Sequence, residues 1–283
     1  MSTETLAPLV LIGFTRCDHF KKTLVSLANN DLAINSNLYI FLDGPRSKKD
    51  HISILKNEQF SRKHKKYFRN IHVIKREINL GLAKNITSAV TEIVNKYGKV
   101  IVIEDDIVTS KNFLKFMNDA LNYYEEEKKV WHIGAHTMVN DTDKENLVFF
   151  WKVMTCWGWA TWSDRWQHYE KNPDNLLNTF SKEQIKEFNL YDSARFWHQV
   201  IENKLGLIDT WAIFWHATIF RNKGYCLNPY FSYVENIGLD GTGVNSGRYK
   251  KLMQGQKVNK NGIFKPLVPV QEDMFQIKRL KNF

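Results

Sequence analysis

KVIVIEDDIVTS, residues Lys99 to Ser110, sets four consecutive branched apolar residues directly against three consecutive carboxylates. Val100, Ile101, Val102 and Ile103 show no polar alternation, the pattern of a strand covered on both faces, as in a parallel sheet. Glu104, Asp105 and Asp106 then stand where such a strand ends, which is where open parallel sheets bind their ligands. Neighbouring strand residues point to opposite faces, so the three carboxylates cannot share one task. A hard divalent cation, Mg²⁺ or Mn²⁺, relieves their repulsion, using one or two carboxylates and filling its shell with substrate phosphate. The bland alternative is a solvated acidic turn that favours the positive end of the next helix.

Outward from this stretch the chain alternates strand and helix. PLVLIGF (8–14), NLYIFLDGPR (37–46) and IHVIKRE (71–77) read as three earlier strands. Between them, DHFKKTLVSLAN (18–29) has helical spacing behind a capping Asp18, and 47–70 reads as a polar, basic helix with a loop. The segment before the acidic strand repeats Ile86, Val90, Ile93 and Tyr97 on one helix face, with Gly98 as its C-cap. A further helix follows, with Ser110 placed to cap it. This βαβ series predicts an α/β fold with a mostly parallel central sheet flanked by helices. Beyond about residue 130 the pattern changes: 130–138 reads as a strand, 181–203 and 209–224 as helices, and 238–247 as a glycine-rich loop. The sequence shows no internal repeat and no linker, so a single domain over 1–283 is expected, with 251–283 a basic segment of no clear period.

The chain carries 40 Lys and Arg against 30 Asp and Glu, a formal charge of +10, which suits phosphate-bearing partners: nucleotides, nucleic acid or an anionic membrane surface. Three cysteines, Cys17, Cys156 and Cys226, without CxxC spacing indicate neither a disulfide framework nor a zinc site. The first residues lack a basic region before their short apolar run, and no run suffices to span a bilayer. A cytoplasmic protein is expected.

A buried strand ending in EDD, a short turn and an aromatic-rich helix resembles the GT-A glycosyltransferases, and within them the N-acetylglucosaminyltransferase I type and its bacterial relatives. LVLIGFTRCDHF resembles that family's first strand and helix, YIFLDGPR its second strand, and NLGLAKNITSAV the segment with a basic residue near the donor phosphates. The resemblance covers about residues 8–125 well and the rest thinly. It implies a GT-A fold with a nucleotide-sugar-binding half (8–130) and an acceptor half (131–250), and metal-dependent, inverting sugar transfer. It implies that Phe14, Thr15, Arg16, Asp43, Lys84, Glu104 and Asp105 address the donor, a UDP-sugar such as UDP-GlcNAc, and that Asp106 holds the metal. Without it, Arg16 and Lys84 read as surface cations and Asp43 as a turn residue.

WKVMTCWGWATWSDRW (151–166) holds five of the nine tryptophans. Core packing is the plain reading for Trp151 and Trp166. The alternation in CWGWATW offers Trp157 and Trp159, and beyond the block Trp211, as flat faces for an acceptor, with Gly158 allowing close approach. An inverting transferase needs a general base near the acceptor hydroxyl. The resemblance implies Asp209 in IDTWAIFWH, whose competing role is a helix N-cap. Glu235 is the rival acid. The loop glycines Gly238, Gly241, Gly243 and Gly247 and Arg248 are candidates for closing over the donor, and His216 is weighed as a second metal ligand or a packed residue. Basic 251–283 suits an anionic membrane face, as in surface-glycan assembly in a bacterium. Competing classes are a nucleic-acid-binding protein, for which no motif is present, a non-catalytic carbohydrate-binding protein, and a sugar-nucleotidyltransferase, whose glycine-rich signature GFTRCDHF lacks.

Overall fold

The structure, a computed structural model, describes residues 6–138, 140–240 and 257–281, with residues 280 and 281 described only as backbone. Among them are ten strands: β1 (Leu9–Gly13), β2 (Asn37–Leu42), β3 (Asn70–Lys75), β4 (Lys99–Glu104), β5 (Ile107–Thr109), β6 (Val130–Gly134), β7 (Val148–Trp151), β8 (Trp159–Trp162), β9 (Tyr225–Pro229) and β10 (Val234–Asn236). The helices are α1 (Cys17–Ala28), α2 (Lys48–Lys63), α3 (Leu82–Tyr97), α4 (Phe113–Tyr123), α5 (Ser163–Trp166), α6 (Pro173–Thr179), α7 (Lys182–Phe188), α8 (Phe196–Lys204), α9 (Ala212–Arg221) and α10 (Met274–Lys281).

Eight strands form one sheet in the order β3-β2-β1-β4-β8-β6-β9-β7, and β5 with β10 forms a small second one. The first four are parallel throughout; β1, β2 and β4 are the continuous apolar runs of covered strands, and β3 (NIHVIK), at the sheet edge, is half exposed with polar residues among its apolar ones. Antiparallel β8 is wedged between β4 and β6, pairing Val102 with Trp159. Helices therefore cover both faces. Leu9 and Leu11 of β1 and Ile101 and Ile103 of β4 pack toward α1 and α4, whereas Val10, Ile12, Val100 and Val102 pack toward α3, α5 and α9. The alternation in β4 fixes which way its last residue, Glu104, can project.

Several sequence expectations change. A strand, β5, intervenes between the carboxylates and α4, because pairing with β10 extends the backbone there. Ser110 does not cap α4: the N-cap is Asn112, and the Ser110 hydroxyl is buried with no partner among the described residues. Arg16 rather than Asp18 precedes α1, and Trp211 rather than Asp209 precedes α9. The stretch 181–203 is two helices, broken where Leu190, Tyr191 and Asp192 take positive φ. Gly98 does end α3 in the left-handed conformation at φ +80°. The basic C-terminal stretch is not a loose tail. Phe264 packs on Phe116, Tyr123 and Tyr124, the Tyr124 hydroxyl bonds both backbone groups of Leu267, and Ile277 of α10 is buried.

Candidate active site

At the carboxyl end of β4 the chain reverses through Asp105 and Asp106 into β5, and the turn is held from both sides. The Thr23 hydroxyl of α1 donates to the Asp105 carbonyl at 2.8 Å, and Ile237 N–H donates to the Asp106 carbonyl at 2.9 Å. Gly238 closes the other side. A Cβ on Gly238 would lie 2.1 Å from Asp106 Oδ2, so only glycine fits that cradle.

The Arg16 guanidinium forks across two of the carboxylates, bonding Asp105 Oδ1 through one nitrogen and Asp106 Oδ2 at 2.9 Å through the other. One cation does not balance three acids. Burial, then Asp106 and Asp105, push Glu104 up to about 8, with Arg16 opposing. Burial pushes Asp105 up to about 6 against the pull of Arg16. Burial alone would lower the Arg16 pKa, but Asp105 and Asp106 outweigh it and raise it. The Cys156 thiol is also pushed up, first by burial and then by Glu104 and Asp106, so it stays protonated beside the cluster.

Asp43, at the end of β2, is buried and fully engaged. Its oxygens accept from Gly44 N–H (2.9 Å), Leu80 N–H (2.8 Å), Gly81 N–H (3.0 Å) and the Asn79 amide (3.0 Å). These fill a carboxylate's acceptor sites, so Asp43 shapes the loop 79–81 and has no free lone pair for a ligand in this conformation. Phe14, Thr15 and Arg16 follow β1 on the same edge, with Phe14 bonded through its carbonyl to the Asn57 amide at 3.0 Å.

Lys84 and Asp209 come together with Leu80, Ala83, Thr87, Tyr169 and Lys171 around a groove of about 350 Å³. No residue of the acidic turn lines it. Asp209 is exposed and ion-paired through Oδ1 to Lys171. Glu235 sits across from Val108 in the small sheet, close in the chain to the Gly238 cradle.

Two acceptor candidates are corrected. Trp159 is 0% exposed, with its ring against Trp211 (5.1 Å), His132 (5.5 Å) and Trp166 (5.7 Å). Trp211 is its buried stacking partner. Both are core residues with no face left for a sugar. Trp157 differs: it is half-buried, 4.4 Å from the His136 ring, next to Cys156. His216 is packed between Phe188 (4.2 Å) and Phe196 (5.1 Å), and burial lowers its pKa to about 3. It belongs to the small core of α6 to α9, not to the acidic turn. Gly241, Gly243, Gly247 and Arg248 lie outside the described residues.

The donor set is hard oxygen, crowded enough to retain protons at neutral pH, which suits a divalent cation. Among the described residues no three His, Cys, Asp or Glu are arranged to hold a metal by themselves. A cation here would take one or two carboxylates and complete its shell from a ligand, as Mg²⁺ and Mn²⁺ do with phosphates.

No protein-family model and no curated protein matches the chain. Solved structures overlap it in part. The mannosyltransferase PcManGT from Pyrobaculum calidifontis, in complex with GDP-Man and Mn²⁺, covers 78% of this chain and 70% of its own at 6% identity, TM-score 0.46. The galactosyltransferase LgtC, in complex with donor and acceptor sugar analogs, covers 75% and 70% at 8% identity, TM-score 0.40. Residues 1–349 of S. aureus TarS cover 56% and 48% at 14% identity, TM-score 0.40. Overlaps this partial, at such identities, carry no argument about chemistry, which rests on the site alone.

Sequence reasoning missed Lys171, Cys156 and the role of Gly238. Gly238 was legible only as one of several loop glycines. The register of β4 on β8, which brings Cys156 to Glu104, has no signal in a single sequence. Lys171 lies in a polar stretch, and only the fold brings it to Asp209.

Proposed function

We propose that the chain is a metal-dependent, inverting glycosyltransferase of GT-A type. It would move a hexose, GlcNAc being the one the family resemblance suggests, from a nucleoside-diphosphate donor to a hydroxyl of a glycan or lipid-linked acceptor. The observation that carries this reading is the crowded Glu104–Asp105–Asp106 turn at the carboxyl end of β4, held by Arg16 and by the Gly238 cradle. A bound Mn²⁺ or Mg²⁺ supplies charge neutralisation for the departing diphosphate. Asp106, whose oxygen faces Gly238, is assigned as its protein ligand. On donor binding, Arg16 exchanges an acid partner for phosphate, and Glu104 and Asp105 turn to ribose or sugar hydroxyls. Phe14 and Thr15 line the approach to the base, and Asp43 acts through the loop it organises. Trp157 offers the acceptor an indole face.

Asp209 is assigned as the general base: Oδ1 is taken by Lys171, which leaves Oδ2 to receive the acceptor proton. Glu235 is favoured instead by one observation, its strand pairing beside the acidic turn.

The deciding test is thermal unfolding with UDP, Mn²⁺ and both together. Stabilisation by UDP only when Mn²⁺ is present, lost in Asp106→Ala, supports the reading. Stabilisation by oligonucleotides and not by UDP refutes it in favour of a nucleic-acid-binding protein, and binding of sugars without nucleotide makes it a carbohydrate-binding protein. Donor turnover in Asp209→Asn and Glu235→Gln then assigns the base: the variant that keeps UDP binding and loses transfer identifies it.

A further inference from the structure

The groove beside Asp209 contains more positive charge than it balances. Lys84 is exposed, and among the described residues no carboxylate lies within ion-pairing distance of it. Lys171 is held between Asp209 and the Phe214 ring, 5.6 Å from its centroid, so its ammonium is fixed toward the groove wall. An ion pair this exposed adds little stability, since the ordering of two side chains offsets its attraction. Tyr169 also lines the groove, its ring stacked on Trp166 at 4.7 Å and tied through its hydroxyl to the Trp211 carbonyl at 3.4 Å. Leu80 and Ala83 complete an apolar flank. A rigid aromatic wall, an apolar flank and one surplus ammonium suit a sugar ring that carries a negative charge.

We propose that this groove binds the acceptor and selects an acidic one, a sugar bearing a phosphate or carboxylate, with Lys84 and Lys171 meeting the anionic group and Tyr169 the ring. The assignment of the groove to the acceptor rests on the transferase reading, in which Asp209 faces the acceptor; the charge preference stands on the groove's own residues. It also moves Lys84 from the donor phosphates to the acceptor side, because the groove shares no lining residue with the acidic turn.

The test is calorimetric titration of the full chain, in EDTA, with glucose 6-phosphate, glucuronate and glucose. The two acidic sugars should bind about tenfold more tightly than glucose, since hydrogen bonds to a charged group are stronger than those between neutral groups. The preference should vanish in Lys84→Gln/Lys171→Gln, whose Tm should match that of the parent because both residues are at the surface. It should persist in Asp106→Asn. A phosphate-only preference names the phosphorylated source, and an equal preference names acidic sugars in general. Equal binding of glucose, or a preference unchanged in the double variant, overturns the proposal. So does competition by UDP with Mn²⁺, which would make the groove the donor's diphosphate site. Failure of UDP to bind alongside an intact acidic preference removes the transferase reading and leaves the acidic-sugar site standing.

Discussion

Gly238 has no side chain where Asp106 needs room, and the cost of adding one can be read directly. With a Cβ 2.1 Å from Oδ2, either the carboxylate swings away or the segment that pins the turn retreats. A displacement of about 1 Å at a reacting centre costs on the order of a hundredfold in rate. Gly238→Ala should therefore abolish Mn²⁺-dependent stabilisation by UDP while the protein melts within a few degrees of the parent. Unaltered UDP binding in that variant would show that the cradle is incidental. Glu104 gives a pH prediction at the same scale. Its folded pKa, near 8, and that of Asp105, near 6, lie above ordinary carboxylate values, so the folded chain holds these protons more tightly than the unfolded chain does. That contribution is complete below the unfolded pKa of about 4 and is lost as pH rises through both folded values. In EDTA, Tm should fall between about pH 4 and about pH 8, and Glu104→Gln should flatten the upper part of the fall. The same slope in both proteins would rule out Glu104 as its source.

Strand β8 shows how an element can mislead a reader of sequence. Its aromatic alternation is real, but alternation in a strand wedged inside a sheet selects between two covered faces, not between core and solvent. Trp159 thus packs among Trp166, Trp211 and His132, and only Trp157, before the strand begins, keeps an open side. Strands β1, β2 and β4 were legible because continuous apolar runs admit few other structures, β3 by its place in the strand–helix alternation, and α3 because its apolar spacing and Gly98 stop agree. Neither the placement of β8 nor the β5–β10 pair was, since long-range antiparallel partners leave no local mark. Trp159→Ala should cost about 3–5 kcal/mol of stability, as expected for a fully buried aromatic. Trp157→Ala should cost less than about 2 kcal/mol and lose sugar transfer. Chemical denaturation of the two variants separates these roles, and equal losses would place Trp157 in the core as well.

Across the whole molecule, exposed cations that form no ion pair among the described residues gather on at least two stretches: α2 and the residues just after it, with Lys48, Lys49, Lys56, Lys63, Lys65, Lys66 and Arg69, and the C-terminal segment. The acidic turn takes up Arg16, and many surface cations are paired, yet Lys260, Lys265 and Lys278 are exposed and form no ion pair among the described residues. They lie on the C-terminal segment that packs against α4 and the sheet edge, beside exposed Ile263 (52%), Val268 (67%) and Phe275 (56%). Lysines interleaved with accessible apolar side chains fit an anionic bilayer better than free solvent. No helix among the described residues is long and apolar enough to cross a membrane. Each lysine near a charged bilayer is worth about 1 kcal/mol, so replacing all three with glutamine should cut partitioning onto phosphatidylglycerol vesicles by about a hundredfold at low salt. Binding of the parent should weaken as salt is raised and be absent on phosphatidylcholine alone. Because the three side chains point outward, Tm should hold, and truncation is the wrong control: removing the segment would uncover Phe116 and Tyr124 and unfold the face it closes. Equal sedimentation of parent and triple variant with anionic vesicles would remove the membrane from the account and leave this segment a structural strap alone.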